Sequence, residues 1–125
     1  MHRKMGFGLA AFATGAVTIP AMPSQAQSVP APPVFNACHA CHSVQPGGKS
    51  GLGPNLVGVV GRTAGTLPGF NYSPALKASK LKWDEKALDE YLASPTRKVP
   101  GSRMPISTPD PAKRAAIITY LKSVK

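Results

Sequence analysis

Residues 38–42 read Cys38-His39-Ala40-Cys41-His42. This Cys-x-x-Cys-His pattern is the signature of covalent c-type haem attachment. Two thiols three residues apart on one turn can each form a bond to a haem vinyl group, and the His that follows them then lies beneath the iron. One five-residue segment therefore predicts both the covalent tether of a haem and one of its axial ligands.

Two other kinds of site use a Cys-x-x-Cys pair. A structural zinc ion requires a second pair of ligands at a distance, but after residue 26 the only Cys and His residues are the four in this motif. A thioredoxin-like redox pair follows a strand in a βαβ unit, whereas Pro30, Pro32 and Pro33 precede this one. Haem attachment is therefore favoured over both, and we interpret His39 as a solvated surface residue.

The first 26 residues are typical of a secretory signal peptide. His2-Arg3-Lys4 is a basic start, residues 6–19 form a short apolar run, and Ser24-Gln25-Ala26 places small residues before a cleavage site. The alternative, a retained membrane anchor, requires about 20 apolar residues, and Pro20 ends this run too early. We predict cleavage near Ala26 and a periplasmic location.

The rest of the chain is short and basic. Cleavage would remove Arg3 and Lys4, two of the 15 Lys and Arg residues. The remaining 13 basic residues and 5 Asp and Glu residues give a net charge of +8. A domain this short buries only about two thirds of its unfolded surface, so small exported proteins often contain disulfides, a metal or a cofactor. Two Cys exclude a disulfide framework. We predict a Pro-rich segment at 27–33 and one cofactor-containing domain at 34–125.

Met104 is the candidate for a second axial ligand. It is the only Met after residue 26, and it lies in the segment Pro100-Gly101-Ser102-Arg103-Met104-Pro105. The prolines and the glycine exclude a helix interior there. A lone Met is ordinarily core filling, but core positions fall at helical spacing and this one is in a loop. We therefore expect Met104 to ligate the iron of a bound haem.

Taken in order, these motifs resemble class I cytochrome c, and specifically its short mitochondrial-like type from bacteria. His42 and Met104 are 62 positions apart, as the short form of the family requires. The resemblance implies an all-α, small and loop-rich cytochrome c fold wrapped around one covalently bound haem. The matching segments are Cys38-His39-Ala40-Cys41-His42, Gly51-Leu52-Gly53-Pro54-Asn55-Leu56, Gly58-Val59-Val60-Gly61-Arg62, Pro68-Gly69-Phe70-Asn71-Tyr72-Ser73, Trp83, and Pro100-Gly101 before Met104.

The resemblance also implies roles for single residues near the iron. Cys38 and Cys41 would bind the haem covalently, and His42 and Met104 would be its axial ligands. The carbonyl of Pro54 would accept a hydrogen bond from the second ring nitrogen of His42, which fixes the ring and makes the imidazole a better donor.

Three further residues resemble those that bind the buried haem propionate: Arg62, Tyr72 and Trp83. Each is a suitable hydrogen-bond donor, and a carboxylate inside a protein requires donors or a cation to stay ionised. Without the resemblance, Trp83 would be better interpreted as an ordinary core tryptophan.

The residue pattern predicts three helices. Residues 111–124 place apolar side chains on one stripe after a capping Asp-Pro pair, and residues 83–92 carry acidic residues in their first turn, where the helix dipole favours anions. A short helix is expected at 73–78, and residues 47–69 are predicted to be loop.

The sequence departs from the family in two places. The prolines allow the N-terminal helix to begin no earlier than about Pro33, which puts in doubt its usual contact with the C-terminal helix. Ile106 stands where the mitochondrial type carries an aromatic residue. An aliphatic side chain can cover a haem edge too, so we expect modest consequences.

A six-coordinate iron leaves no position open for a substrate, so we predict a soluble one-electron carrier and not an enzyme. The alternative is a peroxidase or gas sensor, in which Met104 is loosely bound. The resemblance implies a cytochrome bc-type complex as donor and a terminal oxidase or another periplasmic haem protein as acceptor.

The positive charge predicts docking on acidic surfaces of redox proteins, and we expect a monomer. A generally solvated basic surface is the alternative. We expect no nucleic-acid binding and at most weak association with anionic membranes. The basic residues expected around the haem edge are Lys49, Arg97, Lys98, Arg103, Lys113 and Arg114.

Overall fold

The structure is a computed structural model that describes residues 29–125. The predicted signal peptide at residues 1–26 lies outside this range. Within it, no helix combines the length and the apolar character that are needed to cross a bilayer.

Helices joined by long loops make up the described part of the chain. A 3-10 turn at Pro33–Phe35 leads directly into the first helix, and an isolated antiparallel bridge joins Thr63 to Lys82. The predicted all-α, loop-rich fold is confirmed. The helices are α1 at Asn36–His39, α2 at Pro74–Ser79, α3 at Glu85–Ala93, α4 at Pro95–Lys98 and α5 at Pro111–Ser123.

The longer helices begin at side-chain caps. Ser73, Asp84 and Asp110 each accept a hydrogen bond from a backbone N–H in the first turn of α2, α3 and α5, at 3.1, 2.7 and 2.9 Å. Such caps satisfy N–H groups that have no partner inside the helix. The three predicted helices are confirmed, with ends that differ by at most two residues.

Helix α4 was not expected from the sequence. Pro95 prevents α3 from continuing, which the pattern indicated, but Pro95 also occupies the first position of a new helical turn. Proline suits that position because its ring fixes φ near the helical value and the missing N–H would have no partner there anyway.

The N-terminal turn contacts the C-terminal helix through one aromatic pair. Phe35 is fully buried, and its ring centroid lies 4.7 Å from that of Tyr120 on α5, in an edge-to-face arrangement. The late start of the first helix is confirmed, and the contact with α5 is made by the 3-10 turn rather than by α1. Phe35 is therefore the main anchor of the N-terminal segment.

Replacing Phe35 with Ala should lower the free energy of unfolding by about 3–5 kcal/mol, the usual effect of truncating a buried aromatic residue. Urea denaturation of the holoprotein, monitored by circular dichroism, measures the change. Thr119→Ala is the control, because Thr119 is an exposed residue of α5 next to Tyr120 and surface substitutions usually stay within about 0.5 kcal/mol. Equal losses in both variants would contradict the anchoring role of Phe35.

The core lies between α3, α5 and the loop at 59–64, beside a cavity. Leu88 and Tyr91 of α3 pack with Ile117 and Leu121 of α5, and all four are buried. The loop is joined to the chain before α3 by backbone hydrogen bonds, including one from the Trp83 N–H to a loop carbonyl at 2.9 Å. This arrangement fixes the wall of the cavity that contains the predicted propionate-binding residues.

Candidate haem-binding site

A cavity of about 440 Å³ opens beside the core. Its walls come from α1, α3, the loops that precede α2 and the segment between α4 and α5. All eight side chains predicted to attach, ligate or hold a haem line it: Cys38, Cys41, His42, Pro54, Arg62, Tyr72, Trp83 and Met104.

The two thiols are brought together by the turn at the end of α1. The N–H groups of Cys41 and His42 both donate to the carbonyl of Cys38, at 3.1 and 2.9 Å. Both thiols are free and partly buried. Burial, with a smaller contribution from the neighbouring Cys41, raises the pKa of the Cys38 thiol, so the thiol is protonated at neutral pH.

His39 lies outside this arrangement. Its side chain is exposed, as predicted, and its ring meets the edge of the Phe35 ring at a centroid distance of 4.8 Å.

One ring nitrogen of His42 is hydrogen-bonded within the protein. Nδ1 donates to the carbonyl oxygen of Pro54 at 2.7 Å. Burial lowers the pKa of His42, against a smaller opposing effect of this hydrogen bond. The ring is therefore neutral at pH 7, and with the proton on Nδ1 the lone pair of Nε2 is available to a metal.

Gly53 is a site residue for which the sequence offered no role beyond its place in a family segment. A Cβ atom at this position would lie 2.3 Å from Cε1 and 2.6 Å from Nδ1 of His42. Only glycine lets the backbone pass so close to the ring. The one signal in the sequence was its position directly before Pro54.

Arg62 is a partly buried cation without a carboxylate partner among the described residues. Its guanidinium donates to the carbonyls of Asn55 and Val57, at 3.1 and 3.4 Å. Tyr72 and Trp83, both buried, line the cavity with it. This part of the cavity offers a positive charge and further donors, which suit a buried carboxylate.

Met104 lies in an irregular segment tied to α3. The hydroxyls of Tyr91 and Ser102 are 2.5 Å apart, and the Met104 N–H donates to Ser102 Oγ at 3.4 Å. Gly101 has φ +91° and lies so close to α2 that a Cβ would be 2.9 Å from that of Ala75. Both the positive φ and the close approach to α2 require glycine there.

Two exposed apolar side chains form the rim of the cavity. Leu52 is 84% exposed and Ile106 is 48% exposed, and both line the opening. Ile106 thus occupies the place where the sequence predicted an aliphatic cover for a haem edge.

The predicted basic ring needs one correction. Arg114 does not join it, because its side chain is only 12% exposed and forms an ion pair with Asp89 at 2.7 Å. Lys98 pairs with Glu90. The hydrogen bonds from Lys86 and then from Lys98 lower the pKa of the Glu90 carboxyl to about 2. The other predicted members are exposed: Lys49, Arg97, Arg103 and Lys113.

The family model described as cytochrome c matches residues 31–125. The chain belongs to the cytochrome c family. The predicted resemblance to class I cytochrome c is confirmed, and with it electron transport by a c-type haem protein. The cavity fits that haem, because two thiols, a neutral imidazole with a free nitrogen, a thioether and an unpaired cation converge on it.

Relatives agree with this membership of the cytochrome c family. Cytochrome c2 iso-2 of Magnetospirillum fulvum is 52% identical over 95 residues, covering 75% of this chain and 98% of that protein. Cytochrome c2 of Blastochloris viridis is 40% identical over 121 residues, covering 96% and 92%. Among solved structures, cytochrome cH from Methylobacterium extorquens superposes with a TM-score of 0.66 at 47% identity, covering 70% of this chain and 89% of that one.

Proposed function

We propose that this chain is a soluble, periplasmic one-electron carrier whose single covalent haem is ligated by His42 and Met104. The observation that supports the proposal most directly is the hydrogen bond from His42 Nδ1 to the Pro54 carbonyl at 2.7 Å. It leaves Nε2 for the iron and holds the ring still. The candidate thioether, Met104, lines the same cavity.

A bound haem would supply a one-electron redox couple, and ligation by Met would raise its potential. Cys38 and Cys41 would attach the cofactor through thioether bonds, and the Pro54 carbonyl orients His42. Because His42 and Met104 would fill both axial positions, no substrate reaches the metal. The chain would therefore carry electrons without acting as an enzyme.

Three residues would hold a haem propionate. Arg62 supplies the cation, and Tyr72 and Trp83 supply buried donors beside it. A carboxylate buried with a cation and hydrogen-bond donors stays ionised at neutral pH. The ionised propionate would bind the Arg62 guanidinium, and this would hold the cofactor in addition to the thioether bonds.

The site and the N-terminal sequence together favour export. Residues 1–26 would direct secretion with cleavage near Ala26, residues 27–33 would form a Pro-rich lead, and residues 34–125 would form the cytochrome domain. The alignment with the Blastochloris viridis cytochrome c2 covers 96% of this chain, so it extends into the N-terminal residues as well as the domain.

Acidic surfaces of redox proteins would be the docking partners. Each of the 5 Asp and Glu residues has a partner within the fold: Asp84 and Asp110 cap helices, and Glu85, Asp89 and Glu90 form ion pairs. The charge left for a partner is positive. A cytochrome bc-type complex would then be the donor, and a terminal oxidase or another haem protein the acceptor.

Raising the ionic strength from about 10 to about 200 mM should lower the second-order rate constant for electron transfer to an acidic acceptor by roughly tenfold or more, since salt screens the attraction between the two surfaces. Stopped-flow kinetics measures the rate. Arg103→Gln should lower it at low salt, because Arg103 lines the cavity opening. Lys82→Gln, which removes the same charge, should lower it less, because Lys82 does not line the cavity. A flat salt profile would rule out docking by these charges.

The optical spectrum of the purified exported protein tests the ligation. We expect a c-type spectrum that retains the weak Met-to-iron charge-transfer band in the red when oxidised. A c-type spectrum without this band would make the peroxidase or gas-sensor function the leading one. Absence of any Soret band would indicate a haem-free dithiol protein.

A further inference from the structure

Arg114 joins three parts of the fold. Its Nε donates to Asp89 Oδ1 of α3 at 2.7 Å. Its Nη1 donates to the carbonyls of Thr108 and Pro109, at 3.0 and 2.7 Å. Arg114 itself belongs to α5. One guanidinium therefore fixes the end of the segment that carries Met104 against both long helices.

The middle of that segment is not held by backbone pairing. Within residues 29–125, the backbone of residues 103–107 makes no hydrogen bond to other backbone groups. The segment is fixed at its start, where Ser102 meets Tyr91 at 2.5 Å, and at its end, where the Thr108 N–H donates to Leu92 at 2.7 Å and Arg114 binds the Thr108 carbonyl. Between these ends, the Arg103 side chain donates to the Asn71 carbonyl at 3.2 Å and the Met104 N–H donates to Ser102 Oγ at 3.4 Å. The position of Met104 therefore depends on the two ends and on these two bonds.

We propose that Arg114, held by Asp89, is a positioning residue that clamps this segment and slows the withdrawal of Met104 from the haem iron. The inference rests on the proposed ligation by His42 and Met104. Hydrogen bonds to a charged guanidinium are stronger than neutral ones, and the planar fork reaches a carboxylate and two carbonyls at once. Lysine has no such fork, so this position requires arginine.

The chain offers a matched control for this proposal. Lys122 and Glu85 also form an ion pair between α5 and α3, so their loss weakens the same helix contact. Lys122 makes no hydrogen bond to residues 103–109. If Arg114 merely holds the two helices together, then Arg114→Gln and Lys122→Gln should have similar effects on the haem site.

The rate at which the oxidised holoprotein binds cyanide tests the clamp. In the wild type we expect the observed rate to level off as cyanide is raised, at the rate of Met104 withdrawal. Arg114→Gln should raise this limiting rate by roughly tenfold or more, which corresponds to about 1.4 kcal/mol, since hydrogen bonds to charged groups are stronger than neutral ones. Lys122→Gln should change it less than about twofold.

Asp89→Asn keeps an acceptor for Arg114 and removes only the charge, so it should fold and give an intermediate acceleration. Equal acceleration by Arg114→Gln and Lys122→Gln, or no acceleration in either Arg114→Gln or Asp89→Asn, would overturn the clamp. A different result would contradict the proposed ligation by Met104 itself. In that case the wild-type rate would keep rising in proportion to cyanide and the Met-to-iron band would be missing, and the clamp proposal would be overturned as well.

Discussion

Replacing Gly53 with Ala should nearly abolish formation of a holoprotein with normal iron ligation. The added Cβ would lie 2.3 Å from Cε1 of His42, a separation that neither the ring nor the adjoining backbone can accept without moving. The ring is confined by its hydrogen bond to Pro54, so moving it breaks that bond. Loss of such an outer partner alone typically lowers metal affinity by about 10–100-fold.

The yield of haem-containing protein from the exported chain measures this effect, and we expect it to fall by roughly tenfold or more. Gly58→Ala is the control. Gly58 has φ +68° with open space around it, so a Cβ there meets nothing and adds only backbone strain of about 1–2 kcal/mol. If both variants lost haem to the same extent, a general loss of stability rather than the contact with His42 would be responsible.

Replacing Met104 with Ala should convert a closed haem site into an open one. Loss of the thioether should remove the Met-to-iron band and lower the midpoint potential by roughly 100 mV or more, within the ~0.8 V range that axial ligands control. Peroxidase activity should rise strongly, because the iron gains a free position. Spectra, a redox titration and a peroxide assay measure the three changes.

Ile106→Ala is the matched control for this second variant. Ile106 lines the same opening two residues further on and has no atom that ligates iron, so its removal should keep the band. A Met104→Ala protein whose band and peroxidase activity matched the wild type would contradict ligation by Met104. It would leave His42 with a different partner or with none.

Local patterns made much of the fold predictable. Asp110 and Pro111 mark the start of α5, and the apolar stripe that follows marks its buried face, because caps and helical periodicity depend on residues only a few positions apart. The attachment motif is equally local, since Cys38, Cys41 and His42 act from one turn. Each of these features depends on residues that are close together in the sequence.

The features that were missed depend on distant parts of the chain. Nothing near Gly53 shows that its backbone passes within contact distance of the His42 ring. Arg114 was expected on the basic surface because its charge is visible in the sequence, whereas its pairing with Asp89 arises only after α3 and α5 have packed. Helix α4 was missed because Pro95 can both end one helix and begin the next.

The contact between Phe35 and Tyr120 also joins the N-terminal and C-terminal parts of residues 29–125. It links the turn at Pro33–Phe35 to the last helix, α5, and the loop that it closes has an entropic cost that grows slowly with loop length. Cys38 follows Phe35 by three positions. The two ends of the domain therefore meet beside the attachment motif, and loss of this one contact would release both ends of the chain together.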